Sequence, residues 1–432
     1  MIYLVLLVLI FSPTLGVFVL SLSIPFKLKF INLISYQYFL HFVFLVVPGS
    51  IVILLGYRED LALLPVRDET VILTCLAVAW CVLAFPLTIT VLDFLLGGNI
   101  KEKIIAYKSK PLVNYNNSRT TLLNVRVVMV IALCLLFFLI YLLPVIPIFH
   151  IGSSVEFIMN SRLESAFDLP PGVYFLRRIL YYFLPIFFLY LYALNSYVKV
   201  GKVLLWTSFF SAVFILGYST EKAPVVLFLI SIFFLKNIVN DSYVLSIRRI
   251  LPLLVTVIFV LLLMFSLFYG NSMEEAVDAL ISRLFVAQVA GSFLSMEYFG
   301  NQANFKYFDA VLFRLYTLLG NVPTMQASEE LVFYYYPELF NGNLWRNVNS
   351  FIVQGAWANF GWIGIFLAPV WCAILIYSGC LFIVNRAKTS ASLAVYTYSA
   401  IFMFSLSTNF NNFIYSSGFL LTVVIWLFLK KL

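Results

Sequence analysis

The chain has 432 residues, of which 63% are hydrophobic and only 11% are charged. A soluble globular domain has roughly 25% charged residues, so this composition excludes an ordinary soluble enzyme. The formal net charge is +8, but the basic residues are scattered through short loops and form no stripe interleaved with aromatics, which argues against nucleic-acid binding. Apolar runs recur along the whole chain. The sequence therefore predicts a single transmembrane domain over residues 1–432.

About eleven apolar segments approach the length of about 20 residues that a helix needs to cross a bilayer. The first has no basic stretch before it and no cleavage site after it, so we interpret it as a retained helix. The sixth and seventh are short, and we expect the turn between them to be recessed below the membrane surface. The predicted fold is thus all-α and polytopic, with spans at 2–22, 30–56, 71–96, 127–149, 179–198, 203–218, 223–236, 251–269, 351–384, 391–408 and 413–429.

The two sets of alternating loops differ strongly in charge. One set has seventeen basic and three acidic residues, a net charge of +14, and the other has ten basic and sixteen acidic residues, a net charge of −6. Because basic loops stay in the cytoplasm, we predict the N-terminus outside and the C-terminus in the cytoplasm. This arrangement requires an odd number of spans, so we interpret segment 284–299 as interfacial or re-entrant.

Function is expected on the outer side, in segments 57–70, 150–178 and 270–350. Several guanidinium groups that converge on one outer cavity would suit a diphosphate, since arginine matches phosphate oxygens with a planar fork of donors. The alternative is structural, namely local ion pairs or anchoring to lipid headgroups, and it is strongest for Arg58 and Arg67, which have acidic neighbours. Ten basic residues lie on this predicted outer side, although basic residues are enriched in cytoplasmic loops: Arg58, Arg67, Arg162, Arg177, Arg178, Lys222, Arg283, Lys306, Arg314 and Arg346.

Other classes of site are disfavoured. The chain has only two histidines, His41, which we interpret as a packed core residue, and His150. The five cysteines lack the spacing of a metal site, and no phosphate-binding loop, nucleophile elbow or HExxH motif occurs. We therefore expect neither a metal nor a cofactor, and we disfavour ATP-driven transport and zinc proteolysis.

Three stretches resemble the Wzy-type oligosaccharide repeat-unit polymerases, also called O-antigen or capsule polymerases. They are the outer segment 160–172, the turn 219–224, and segment 349–364, a small-residue-rich stretch that ends in an aromatic-Gly-x-x-Gly step. The resemblance implies a membrane C-type glycosyltransferase of the bacterial inner membrane that works without metal. Its substrates would be undecaprenyl-diphosphate-linked oligosaccharides, and its further partners a chain-length regulator and a flippase of the same pathway.

The resemblance also implies roles for individual residues. Cations would neutralise the leaving diphosphate, and a carboxylate would accept the proton of the attacking hydroxyl. The catalytic candidates are Glu221, Glu164, Arg283 and Arg314, with Asp168 and Glu297 as further candidates for the base. The substrate-binding candidates are Arg162, Arg177, Arg178, Lys222, Tyr316, Arg346, Asn347, Asn349 and Gln354.

Two alternatives stay open at this point. A lipid-linked oligosaccharide flippase or other transporter would also need a cationic cavity, although it should carry charged groups deep within several spans. The related O-antigen ligases use an outer-loop histidine that has no evident counterpart here, which favours a polymerase. Lys222 departs from the family pattern, because many relatives have an arginine in that turn.

Overall fold

The computed structural model describes residues 1–57, 63, 65–113, 118–150, 155–166, 169–220, 222–240, 251–252, 255, 258–259, 262, 272–307, 325–341, 348, 351–407 and 409–432. These residues are mainly helical and contain no β-strand. Within them, eight helices are long and apolar enough to cross a membrane, and three more apolar helices are shorter. The prediction of an all-α, multi-pass membrane protein is confirmed. The predicted span 251–269 lies largely outside the described residues.

The helices are numbered here in chain order. They are α1 (Ile2–Ser23), α2 (Leu33–Leu54), α3 (Asp68–Leu95), α4 (Ile100–Ser109), α5 (Ser118–Leu142), α6 (Val155–Ala166), α7 (Pro171–Leu194), α8 (Lys202–Gly217), α9 (Lys222–Val239), α10 (273–298), α11 (Ala327–Tyr335), α12 (Pro337–Asn341), α13 (Ile352–Val384), α14 (Ser390–Met403) and α15 (Ser417–Leu429).

Two helices begin well before their predicted starts, since apolar windows detect only the most hydrophobic part of a helix. Helix α5 begins at Ser118, and helix α7 begins at Pro171, where a proline suits the first helical position because its missing N–H would have no helical partner. Arg177 and Arg178 therefore lie in the second turn of α7.

A first bundle contains α1, α2, α3 and α13. Helices α3 and α13 run in the same direction, since the Trp80 and Phe366 rings are in contact and, further along both helices, the Tyr377 hydroxyl donates to Asp93 at 3.2 Å. Aromatic rings from α2, α3 and the start of α13 pack together in its core, at Phe42, Phe85 and Phe351. Edge-to-face ring pairs of this kind add to the stabilisation from burial.

A second bundle surrounds α7 and contains the shorter helices α8, α9, α14 and α15. The Phe188 ring of α7 contacts Phe209 of α8 and Phe228 of α9. On another face of α7, the Tyr182 ring contacts Tyr398 of α14. The first and second bundles meet along α2 and α14, where the Tyr396 hydroxyl accepts a hydrogen bond from the Leu33 N–H at 2.9 Å.

Lysine side chains gather where several helices end. The ammonium groups of Lys101, Lys110 and Lys388 donate to carbonyls in the last turns of α1, α13 and α4, respectively, at 3.2, 3.2 and 2.7 Å. The last carbonyls of a helix lack helical partners and form its negative pole, so these lysines satisfy them. These loops, which we predicted to lie together in the cytoplasm, thus lie at one end of the protein, here called the basic end.

Helix α10 has both of its ends beside the opposite end of the first bundle. Near its start, the Asp278 carbonyl accepts from the Tyr57 hydroxyl at 3.5 Å, and near its finish Glu297 pairs with Arg67 at 2.7 Å. Tyr57 and Arg67 follow α2 and precede α3, so they lie at the same end of these helices. Although residues Glu274–Tyr298 are long and apolar enough to cross a membrane, these contacts favour the predicted interfacial or re-entrant arrangement.

Cysteine labelling tests this arrangement. In a variant whose five native cysteines are replaced by alanine, Ser272→Cys and Asn301→Cys should react with a membrane-impermeant maleimide from the outside of intact cells, because both flank α10 at the same end. Glu102→Cys, which is exposed on α4 at the basic end, should react only after permeabilisation. Labelling of Ser272→Cys and Asn301→Cys from opposite sides would instead make α10 a crossing helix.

Candidate functional site

Helix α13 is interrupted at Gly361, whose φ of +56° lies in a region that glycine adopts without strain. The two carbonyls ahead of the break accept hydrogen bonds from the N–H groups of Lys306 and Tyr307 at 2.8 and 3.0 Å. Gly364 lies so close to the Ala356 carbonyl that no side chain would fit. The aromatic-Gly-x-x-Gly step noted in the sequence therefore produces a kinked helix with its backbone satisfied inside the protein.

The connection between α14 and α15, residues 404–416, lies far below the end of the protein opposite the lysines. Ser407 is within 2.6 Å of His41, thirteen residues before the end of α2, which corresponds to roughly 20 Å along a helix. At the start of α15, Gly418 packs against the Tyr182 hydroxyl, eleven residues into α7, or roughly 16 Å from its start. His41 itself is buried, as predicted.

Polar side chains on this connection are accessible at that depth. Asn409 and Asn411 are half-buried and Asn412 is exposed. The Asn411 side-chain oxygen accepts a hydrogen bond from Asn359 of α13 at 2.8 Å. Non-helical backbone at membrane depth is tolerated only where protein buries it or where it lines a water-filled cavity. The described residues of this connection and the helix faces around it, here called the recess, therefore place polar side chains at membrane depth.

Arg177 lies above the recess and is held by a hydrogen-bonded chain. Its guanidinium donates to the Tyr218 hydroxyl at 2.5 Å and lies 5.7 Å from the centre of the Tyr218 ring. The same hydroxyl donates to the Ser165 carbonyl of α6 at 2.9 Å. Arg177 lies one helical turn before Tyr181 on α7. The next residue, Tyr182, contacts Tyr398 of α14. The chain thus ties α6, α7 and the end of α8 together over the recess.

Three of the predicted substrate-binding cations belong to these tied elements, and a fourth begins the next helix. Arg162 is half-buried on α6, where its carbonyl accepts from the Ser165 hydroxyl at 3.2 Å. Arg178 is half-buried beside Arg177 on α7, and Lys222 is the first residue of α9, just after Tyr218. The structure therefore places Arg162, Arg177 and Arg178 on elements joined through Tyr218, while the side chain of Lys222 lies outside the described part of the chain. The base candidate Glu164 is exposed on α6 next to Ser165.

Arg283 lies on a different helix from these cations. It is exposed on α10, in a part of that helix that packs against Gly49 of α2 through Phe285, and no contact among the described residues joins it to Arg177. Seven further candidates lie outside the described residues: Asp168, Glu221, Arg314, Tyr316, Arg346, Asn347 and Asn349.

Gln354 is fully buried in the first turn of α13. Its backbone carbonyl accepts from the Ser295 hydroxyl of α10 at 3.0 Å. Among the residues that the structure describes, its side-chain nitrogen and oxygen have no hydrogen-bond partner, and neither does the side-chain oxygen of Asn359. A buried polar group without a partner costs about 1–3 kcal/mol, so the sequence-predicted binding role of Gln354 falls on an amide with unused hydrogen-bonding capacity.

Glu297 has a structural explanation that the sequence did not provide. It is 3% exposed and pairs with the Arg67 guanidinium at 2.7 Å. It also accepts hydrogen bonds from the Arg67 N–H at 3.2 Å and from the Thr70 hydroxyl at 2.5 Å. Because Arg67 and Thr70 form the first turn of α3, the carboxylate caps the positive end of that helix. Its catalytic role stays a prediction.

Lys306 likewise has structural partners. Its ammonium pairs with the Glu330 carboxylate and donates to the Met325 carbonyl at 2.8 Å, so this cation follows the ion-pair alternative. The nearby Tyr335 hydroxyl is buried without a partner. Burial and, secondarily, the charge of Glu297 raise the pKa of Tyr335 above its ordinary value, which keeps this hydroxyl protonated.

Sequence reasoning missed Tyr218, Asn359 and Asn411. Tyr218 lies inside the predicted recessed turn, but its side chain is neutral, and the sequence argument rested on charged residues. Residues 408–412 place three asparagines within an apolar region, a signal that the connection between α14 and α15 is polar and has a function. The predicted spans left only four residues for this connection and thus concealed the recess.

No family model, curated protein or solved structure matches this chain. Among the residues that the structure describes, no three His, Cys, Asp or Glu side chains are grouped so that they could hold a metal ion.

The cap formed by Glu297 gives a stability prediction. Glu297→Ala should lower the free energy of unfolding by about 2 kcal/mol, because the bonds to a charged group at the start of α3 are lost. Thr70→Val removes one of these bonds and should cost less. The measurement is the thermal unfolding midpoint of purified protein in detergent. Glu338→Ala, at an exposed site on α12, is the matched control. An equal midpoint for Glu297→Ala and the control would exclude the cap.

Proposed function

We propose that the protein polymerises undecaprenyl-diphosphate-linked oligosaccharide repeat units into a surface polysaccharide, such as O-antigen, common antigen or capsule, at the outer face of a bacterial inner membrane. The observation that carries the proposal is the hydrogen-bonded chain from Arg177 through Tyr218 to Ser165, on elements that also carry Arg162 and Arg178. The sequence resemblance to Wzy-type polymerases supports it. Two of the stretches that carry this resemblance, 160–172 and 219–224, contain or adjoin Ser165 and Tyr218 of the hydrogen-bonded chain.

A lipid-linked diphosphate suits this geometry. Its polyprenyl chain stays in the bilayer, so its charged group stays near the headgroup level. Arginine remains charged at every physiological pH and presents several donors to phosphate oxygens. The hydrogen bond to Tyr218 and the contact with its ring fix the guanidinium of Arg177, and a prepositioned donor contributes more to catalysis than a flexible one.

The proposed reaction is a glycosyl transfer. The bond between the anomeric carbon of the growing chain and the diphosphate oxygen breaks, and its electron pair leaves with the polyprenyl diphosphate. A hydroxyl oxygen at the non-reducing end of a new repeat unit bonds to that carbon, and its proton passes to a carboxylate. Arg177 and its neighbouring cations would stabilise the charge on the leaving group, and Glu164 or Glu221 would be the base.

The charge distribution supports the proposed location. The basic end carries the lysines that cap α1, α4 and α13, and basic loops remain on the cytoplasmic side. The recess then opens to the outside, the N-terminus lies outside and the C-terminus is cytoplasmic. A chain-length regulator and a flippase would be partners of the protein in the same pathway.

A transporter of lipid-linked oligosaccharides is the second candidate. The break in α13 at Gly361 favours it, since transporters often build substrate sites from discontinuous helices. Against it, the cations described above lie on tied elements at one end of the protein rather than along a path through it.

The decisive experiment uses the purified full-length protein in proteoliposomes with a synthetic polyprenyl-diphosphate-linked repeat unit, and the products are separated on a gel. A ladder of lengths is the expected result. A single transfer onto lipid A core would identify a ligase. Movement of the lipid across the bilayer without any product would replace the polymerase with a transporter.

Arg177 gives a prediction within this assay. Arg177→Ala should lower the rate of ladder formation about 100-fold or more, as the loss of a prepositioned donor does, and Arg177→Lys should restore only part of it. Tyr218→Phe keeps the ring but loses the hydroxyl, so its effect should be smaller than that of Arg177→Ala. Lys430→Ala, at the basic end, serves as the control for loss of one positive charge. Wild-type rates for Arg177→Ala at equal protein levels would remove this residue from the site.

A further inference from the structure

Two buried glutamines of the first bundle differ sharply in hydrogen bonding. Gln37 of α2 is fully buried, and its side chain donates to the Ala400 carbonyl at 2.5 Å and accepts from the Leu406 N–H at 3.3 Å. Gln354 of α13 is buried to the same extent, yet neither its nitrogen nor its oxygen has a partner. The hydrogen bonds of Gln37 account for a buried glutamine at that position, whereas the described contacts of Gln354 do not.

The turn of α13 that follows Gln354 contains other amides. The next residue, Gly355, leaves space that the side-chain oxygen of Asn409 occupies, because a Cβ built on this glycine would lie 2.0 Å from that oxygen. One turn further along α13, Asn359 donates to Asn411 at 2.8 Å and to the Gly355 carbonyl at 2.5 Å, while its own side-chain oxygen has no partner. Gln354, Asn359, Asn409 and Asn411 are here called the amide cluster.

The chemistry of this cluster selects a class of ligand. Its unused groups are one amide N–H₂ donor and two amide oxygens that act as acceptors. A phosphate offers only acceptor oxygens at neutral pH apart from its ester groups, so it would leave both amide oxygens unpaired. A hydroxyl both donates and accepts, so a group of hydroxyls would satisfy donor and acceptors together. The cluster is neutral, whereas the neighbourhood of Arg177 is cationic.

We propose that the amide cluster is a glycan subsite, in which Gln354 and Asn359 bind sugar hydroxyls across the recess from the cationic group at Arg177. This inference rests on the proposed function, because it names a part of the same recess. Gln354 is a binding residue in this scheme and takes no part in proton transfer. The subsite holds a sugar of the repeat unit while the diphosphate occupies the cationic group.

Sugar can reach Gln354 only if the turn Phe410–Phe413 moves away from the first half of α13. The contacts described between the two include the hydrogen bond from Asn359 to Asn411 and the packing of Asn409 against Gly355. On the other side of the turn, the Trp371 indole donates to the Phe413 carbonyl at 3.0 Å. Binding would therefore exchange one amide–amide bond for several bonds to sugar hydroxyls.

The test compares Gln354→Leu with Gln37→Leu in the purified full-length protein. Gln354→Leu removes an unpaired buried amide, so its thermal midpoint should stay equal or rise. Gln37→Leu breaks two hydrogen bonds and should lower the midpoint by about 2–5 °C. A clear loss of stability in Gln354→Leu would show that its amide binds a structural water molecule only, and it would overturn the subsite.

Binding is measured with the host's own repeat-unit oligosaccharide, released from its lipid carrier by mild acid and labelled with a fluorophore. Gln354→Leu should weaken its affinity at least tenfold, Asn359→Leu should act in the same direction, and Glu102→Ala, at an exposed site of the basic end, should match the wild type. Equal affinity for Gln354→Leu and wild type would overturn the proposal.

The proposed function and the glycan subsite can fail separately. If the wild type forms a ladder and Gln354→Leu binds the released glycan normally, the function stands and the subsite falls. If the glycan binds and depends on Gln354 while no ladder forms under any condition, the subsite stands and polymerisation falls. Inorganic pyrophosphate, which should bind wild type and Gln354→Leu equally, reports on the cationic group alone.

Discussion

Every backbone N–H and carbonyl inside a bilayer must find a partner within the protein or in trapped water, and this constraint organises the whole molecule. It explains why the described residues are helical, and it gives meaning to the places where helices stop. At Gly361 the released carbonyls accept from the 306–307 backbone. Where α14 ends, Gln37 bonds to the Ala400 carbonyl and the Leu406 N–H. Helices that end at depth are thus supported by specific polar side chains.

The same reasoning accounts for the charges at the two ends. At the basic end, lysines satisfy terminal carbonyls of α1, α4 and α13, so the residues that set the predicted orientation also complete the helices. At the other end, Glu297 caps the positive end of α3 and Lys306 pairs with Glu330. Among the described cations at this end, Arg177 instead donates to the neutral hydroxyl of Tyr218.

The sequence was sufficient for the membrane class and most of the span positions, because a long apolar helix has a strong signal in composition alone. It also singled out Arg162, Arg177, Arg178 and Lys222 as candidates, and their role stays a prediction. It could not show that Arg283 lies on a different element, since that depends on how α10 packs against α2. The recess escaped prediction because its depth follows from tertiary contacts such as His41 with Ser407, which no local pattern encodes.

The position of the recess between the two bundles follows from α2. Gln37 and His41 bond to α14 and to the connection that follows it, and they thereby fix how deep that connection lies. Arg177 belongs to the second bundle and Gln354 to the first, so a ligand that touched both would bridge the bundles. In a transfer reaction the diphosphate and the acceptor sugar must be held at a set distance. The polar residues of α2, which touch neither proposed subsite, would then determine that distance by setting the register between the bundles.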